Sequence, residues 1–179
     1  HLRSSINDPY SLSDNAIYSL CKDREGGIWI GSYFGGINYY PRFYTNFEKY
    51  YPKGAANGLQ GKRVREFCQD NQGILWIGTE DGGLNRFNPK TKTFSFFTPS
   101  NAFTNVHGLC MVGDNLWVGT FSKGVKVVDT RTGAIVKTYL KTESPHSLVD
   151  NSVFSICRTT TGDIYLGTLF GLLRYNKQL

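Results

Sequence analysis

The stretch Ile74-Leu75-Trp76-Ile77-Gly78-Thr79-Glu80-Asp81-Gly82-Gly83-Leu84-Asn85-Arg86-Phe87-Asn88 decides the fold. It reads as two short strands around a glycine-rich turn. The apolar run Ile74 to Ile77 is too short for a helix, and Gly82-Gly83 interrupts any helical period. The stretch has three counterparts. Ile28-Trp29-Ile30-Gly31-Ser32 runs on to Gly36-Ile37-Asn38-Tyr39-Tyr40. Leu116-Trp117-Val118-Gly119-Thr120 runs on to Gly124-Val125-Lys126-Val127-Val128, and Ile164-Tyr165-Leu166-Gly167-Thr168 to Gly171-Leu172-Leu173-Arg174-Tyr175. The anchoring aromatics Trp29, Trp76, Trp117 and Tyr165 lie 47, 41 and 48 residues apart. Repeats of about 40 to 50 residues, rich in short strands, predict a β-propeller with one blade per repeat.

The fold class expected is therefore all-β, with four blades of four-stranded antiparallel sheet, strands A to D. Residues 1–14 form a lead-in segment or the end of a preceding blade. Blade one takes residues 15–58, blade two 59–101, blade three 102–146 and blade four 147–179, all in one propeller fragment. Strand A is expected over Ala16 to Lys22, Arg63 to Gln69, Asn105 to Val112 and Ser152 to Arg158. Strand D is expected over Thr45 to Tyr51, Thr93 to Thr98 and Ala134 to Leu140, and blade four stops short of it. Natural propellers hold about 4 to 8 blades, so an arc of a larger ring, such as a seven-bladed one, is favoured over a closed ring of four. The open blade faces of such an arc predict self-association.

Composition agrees. The 179 residues include 20 glycines, as a chain of many tight turns requires, and charged residues make up 19%, too few for a disordered chain. No apolar run approaches the roughly 20 residues that span a membrane. The chain opens on His1 without a signal peptide and reads as a piece excised from something longer. The net charge of +6 has two readings: basic side chains scattered over solvated turns, or a preference for anionic partners such as acidic glycans. No basic cluster interleaved with stacking aromatics points to nucleic acid.

Cys21, Cys68 and Cys157 each lie 8 residues before the anchoring aromatic, and Cys110 lies 7 before. One cysteine per blade at one place in strand A is no metal-ligand spacing. Buried free thiols are expected, with no metal and no cofactor. The strand B tryptophans are expected in the core, each with a partner for its indole N–H. Gly31, Gly78, Gly119 and Gly167 are expected to allow close approach, and Gly36, Gly83, Gly124 and Gly171 to take positive φ.

Candidate ligand-binding residues come from the loops and the starts of the inner strands. The B–C loops carry Tyr33-Phe34, Glu80-Asp81, Phe121-Ser122-Lys123 and Leu169-Phe170. Three of these four loops expose an aromatic where a hairpin is normally polar, which suits stacking on a sugar face or packing on a neighbouring domain. Strand A begins with Asn15 and Tyr18, with Arg63, Arg65 and Glu66, with Asn105 and His107, and with Asn151 and Phe154. In a propeller these line the mouth of the central channel, where a small ligand or structural water collects. Tyr33, Phe34, Glu80, Asp81, Phe121, Lys123, Phe170, Arg65 and His107 are the positions chosen for ligand contact. Catalysis is not expected: no nucleophile elbow is present, and Glu66 with His107 is the one acid–base pairing worth weighing for a propeller lyase.

The Leu-Trp-Ile-Gly-Thr pattern of residues 75–88 and the lead-in Asn15 to Gly26 resemble the two-component regulator propeller repeat. Blade three departs from it at Lys123 and Val125-Lys126-Val127, and blade four has a shorter B–C loop. The resemblance implies a periplasmic sensor region of a Bacteroides-type hybrid two-component histidine kinase. Such sensors detect oligosaccharides and control polysaccharide-utilisation genes. It further implies that this fragment does no chemistry and that its partners are the other blades and domains of the same protein. Phosphoryl transfer would belong to a kinase region elsewhere. The alternatives are a protein-interaction scaffold, as in tryptophan–aspartate repeat propellers, and a channel lyase. The family motif marks blade scaffold and transfers no ligand residue.

Overall fold

The computed structural model describes residues 1–8, 10–42, 47–52, 57–97 and 100–176, with Ser100 and Asn101 as backbone alone. The chain forms two compact units, His1–Gly54 and Ala55–Leu179. The fold is all-β and built of propeller blades.

The first unit is one three-stranded antiparallel sheet, with β1 (Ile17–Lys22), β2 (Ile28–Ser32) and β3 (Ile37–Tyr40) in sequential order. The strand D expected over Thr45 to Tyr51 does not form in its described part. Thr45 and Asn46 lie outside the described residues, and Phe47 to Tyr51 are not in a strand. Tyr51 instead places its hydroxyl 3.0 Å from Asp8 Oδ1 and its ring 5.9 Å from that of Tyr10, so this segment is held by side chains.

The second unit holds three blades. Blade two is β4 (Val64–Gln69), β5 (Leu75–Thr79), β6 (Gly83–Asn88) and β7 (Thr93–Phe96). A short 3-10 helix, Ser100–Phe103, links it to the next blade. Blade three is β8 (Val106–Val112), β9 (Asn115–Thr120), β10 (Val125–Asp129) and β11 (Ile135–Tyr139). Blade four is β12 (Val153–Arg158), β13 (Ile164–Thr168) and β14 (Gly171–Tyr175), three strands among the described residues. The inner strands β4, β8 and β12 lie side by side.

The repeated residues build the blades by local chemistry. Asp70 starts the β4–β5 turn: its Oδ1 accepts from the Gln72 and Ile74 N–H groups at 2.9 and 3.0 Å, and its Oδ2 from the Trp76 indole at 2.8 Å. Asp23 makes the same set with Glu25, Gly27 and Trp29. The residue after each strand B glycine closes the next turn. Ser32, Thr79, Thr120 and Thr168 each donate a hydroxyl to the carbonyl of Gly36, Gly83, Gly124 or Gly171. Gly83 has φ 73, a left-handed conformation that side chains resist. Asn85, fully buried on β6, accepts from Gln60 N–H at 2.8 Å and donates to Gln60 O at 3.1 Å, so it pins the segment entering its own blade. Asn38 does the same for Ser13.

Packing in the second unit follows from alternation on blade three. Leu116, Val118 and Val128 point to one side and join Trp76, Leu84, Phe97 and Phe103. Trp117, Val125 and Val127 point to the other and join Val153, Ile164 and Leu166 of blade four. Each fully buried aliphatic side chain contributes about 1.5–3 kcal/mol, so these two seams dominate the stability of the unit. Gly78 sits against Val106, and a Cβ there would lie 2.5 Å from Val106 Cγ1.

The cysteines are free, as expected, but their burial is corrected. Cys68 and Cys110 are half-buried against the next blade, whereas Cys21 and Cys157 are exposed. The thiol side of strand A faces the following blade, and among the described residues no further blade covers Cys157. The same rule sorts the anchoring aromatics. Trp76 and Trp117 are buried beneath the next blade, while Tyr165 is half-buried. Trp29 is 45% exposed in the first unit and stacks on Tyr39 at 4.5 Å.

Candidate functional site

Every inner strand carries a β-bulge at one position. Ile17 pairs with Ser32 but Ser19 with Gly31, leaving Tyr18 unpaired. Val64 pairs with Thr79 and Glu66 with Gly78, leaving Arg65. In the same way Val106 and Gly108 bracket His107, and Val153 and Ser155 bracket Phe154. A bulge adds one residue to its strand and re-aims a side chain. The residue before the bulge is Ile or Val in every blade, whereas the bulged residues are a tyrosine, an arginine, a histidine and a phenylalanine.

In the second unit three of these side chains converge. Arg65 Nη2 lies 3.2 Å from His107 Nδ1. A guanidinium only donates, so Nδ1 accepts. The proton therefore sits on Nε2, which donates to Asn105 Oδ1 at 2.8 Å. Burial pushes the His107 pKa below its ordinary value, and the Arg65 charge lowers it further. The imidazole is 7% exposed and meets Phe154 edge-on at 5.2 Å and Phe121 at 6.2 Å. Phe121 and Phe154 are 6.1 Å apart.

The loop carrying Phe121 is fastened to its surroundings. Phe121 N–H donates to Asn105 O, while Ser122 and Gly124 N–H groups donate to Asn151 O. Two left-handed non-glycine residues flank the cluster, Asn105 at φ 58 and Ser122 at φ 98. Such conformations persist where the surrounding structure over-determines them.

The other chosen positions fall into separate places. Glu80 Oε2 pairs with Arg63 Nη1 at 4.0 Å. Asp81 holds the loop into β4: its Oδ1 accepts from the Arg63 and Lys62 N–H groups, first of the causes that lower its pKa. Lys123 sits in the Phe121 loop, its N–H donating to Thr120 Oγ1 at 3.1 Å. Phe170 is 73% exposed and makes no ring contact with the cluster. Tyr33 and Phe34 belong to the first unit, where Tyr33 lies 5.0 Å from Tyr18 and 4.2 Å from Phe34. Bulge residue and B–C loop aromatic thus meet in blade one as they do in blade three. Asn15 and Asn151 are scaffold, accepting from the Ser4 and Lys141 N–H groups at 2.7 Å. Glu66 and His107 are not brought together, since Glu66 Oε1 accepts from Phe67 N–H. What strand-by-strand reading missed is the bulge; aligning the inner strands on their cysteines, with Tyr18, Arg65, His107 and Phe154 three residues before each, is the signal that finds it.

A cleft of about 890 Å³ lies elsewhere, beside β14, lined by Trp117, Tyr139, Arg174 and Tyr175. The Tyr139 and Tyr175 hydroxyls are 3.0 Å apart, and burial together with that contact raises the Tyr139 pKa. This cleft flanks the edge strand of the three-stranded blade and reads as packing surface.

The family model for the two component regulator propeller matches residues 11–34 and 58–81. Among solved structures, the chain is similar to the extracellular domain of a protein named as a hybrid two component system, BT3049, from B. thetaiotaomicron. The TM-score is 0.58 at 25% identity, over 95% of this chain and 23% of that one. The extracellular domain of BT4673 from the same organism aligns with a TM-score of 0.57 at 18% identity, over 99% of this chain and 32% of that one. PorZ, a surface component of the type-IX secretion system of Porphyromonas gingivalis, aligns with a TM-score of 0.51 at 16% identity, over 90% of this chain and 25% of that one. The last two likenesses concern fold alone. No curated protein matches the chain. The chain spans about a quarter to a third of the length of these solved relatives. Residues 11–34 and 58–81 are thus similar to the two component regulator propeller repeat, in a fold similar to that of a two-component extracellular domain.

Proposed function

We propose that this chain is part of an extracytoplasmic sensor propeller, that it recognises an oligosaccharide on the rim formed in its second unit by the bulge residues and the Phe121 loop, and that it does no chemistry itself. The parent would be a periplasmic or surface-exposed sensor whose kinase region lies outside this chain. The observation that carries the binding reading is Phe121. It is 46% exposed on a loop pinned by Asn105 and Asn151, and its ring lies 6.2 Å from His107 and 6.1 Å from Phe154. A rigid, half-exposed aromatic offers a face for the C–H side of a sugar at little entropic cost. Calorimetric titration with a panel of glycan fragments tests it. Saturable heat from one fragment, lost in Phe121→Ala, is the expected result. Saturable binding unchanged in Phe121→Ala removes the rim from the reading.

A second reading rests on blade four. Leu169, Phe170 and Leu172 are 57%, 73% and 71% exposed on one turn and strand. An apolar patch of this kind fits packing against another blade or domain of the same protein, or a second copy of the chain. Sedimentation of the wild type and of Phe170→Ser separates these: a concentration-dependent dimer abolished by the substitution supports self-association, and a monomer in both removes it.

A further inference from the structure

The bulge position offers more than a rim. Four inner strands share one irregularity in one register, and the residue it expels differs in chemistry each time: Tyr18, Arg65, His107 and Phe154. In the second unit Arg65 donates to Nδ1 of a neutral imidazole, while the nearby acid, Glu80, pairs with Arg63. The Arg65 side chain is exposed at one end of the aromatic group His107, Phe121 and Phe154. A cation bonded to a neutral base keeps its charge available, and its remaining N–H donors suit a carboxylate in two-pronged geometry.

We propose that the bulge residues of the second unit are ligand-reading positions, and that Arg65, His107, Phe154 and Phe121 bind an acidic sugar. Arg65 takes the carboxylate. His107, locked by Asn105 with its proton on Nε2, orients the guanidinium. Phe121 and Phe154 take the apolar face of the ring. Asn105 and Ser122, the left-handed residues, hold the two supporting segments at the angle this requires. The inference deepens the oligosaccharide reading and rests on it.

The test is calorimetry of the chain with an oligogalacturonate, and with its methyl ester as the same ring system without charge. The variants are Arg65→Gln, His107→Gln and, as a control on the outer strand β11, Val136→Ala, each checked by circular dichroism for the wild-type fold. The expected result is saturable binding of the acid, weaker in high salt, and weaker by about ten- to a hundred-fold in Arg65→Gln, the loss of a charged hydrogen bond. Val136→Ala leaves it unchanged, and the ester binds at least tenfold more weakly. Equal binding of acid and ester, with Phe121→Ala abolishing both, overturns the acidic preference and leaves the saccharide reading standing. Acid binding that Arg65→Gln and His107→Gln leave within about twofold overturns the assignment of these residues. Absence of binding by the acid, the ester and the wider glycan panel overturns the inference together with the reading beneath it.

Discussion

The Trp76 indole N–H and the Asp70 carboxylate meet at 2.8 Å beneath a seam where Trp76 is fully buried, and the Asp70 carboxylate also holds two backbone N–H groups of the β4–β5 turn. One acid therefore fixes both the turn and the core aromatic. Asp70→Ala should lower stability by about 2–3 kcal/mol, because it orphans a buried donor as well as opening the turn. Urea denaturation measures it. In the first unit Asp23→Ala should cost less, since Trp29 is 45% exposed and water replaces the lost partner.

Gly78 and Val106 make a paired prediction. A methyl at 78 meets Val106 Cγ1 at 2.5 Å, and Val106 is fully buried. Gly78→Ala should destabilise by about 1–3 kcal/mol through overpacking. Val106→Ala should destabilise by leaving a cavity. The double variant should lose less stability than the sum of the two, since each change relieves the other. Strict additivity in a double-mutant cycle would show that the close approach is not the reason for the glycine.

Thr120 has no exposed surface, donates to Gly124 O at 2.9 Å and accepts from Lys123 N–H at 3.1 Å. Thr120→Val keeps the volume and removes both bonds. It should cost about 1–3 kcal/mol and speed hydrogen exchange at Lys123, loosening the loop that presents Phe121.

His107 gives a pH signature. Burial first, and Arg65 second, hold its folded pKa below the ordinary 6.5. Above that value both folded and unfolded states hold a neutral imidazole, and its contribution is fully present. As the pH falls from 6.5 toward the folded value, the unfolded state takes up the proton first, and stability drops. His107→Gln should flatten the pH dependence in that window. In NMR titrations Arg65→Ala should raise the His107 midpoint; an unchanged midpoint would show that the contact at 3.2 Å does not bear on the ring.

Much of this was legible one residue at a time. The period of the anchoring aromatics, the Asp turn, the strand B glycines and the Ser or Thr after them act within a single blade, so local chemistry announces them. Strand bounds came out within about two residues for the same reason. The fourth strand of blade one misled: the aromatics of Phe47 to Tyr51 read as a strand, yet Tyr51 is spent on Asp8 and Tyr10. The cysteines misled in another way, because burial at that position belongs to the next blade and not to the strand that carries it.

The amino-acid sequence by itself determined the propeller repeat, the blade order and the conformational demands at Gly78 and Gly83. Those rest on periods and on backbone sterics, which are properties of short stretches. Only the tertiary structure decided that Arg65 and His107, 42 residues apart, share a hydrogen bond, and that Phe121 and Phe154 pack against the His107 ring. A bulge changes the count along a ladder by one residue, and that offset exists only between paired strands. The meeting of side chains from three blades then depends on how the inner strands lie against one another, which no single repeat encodes.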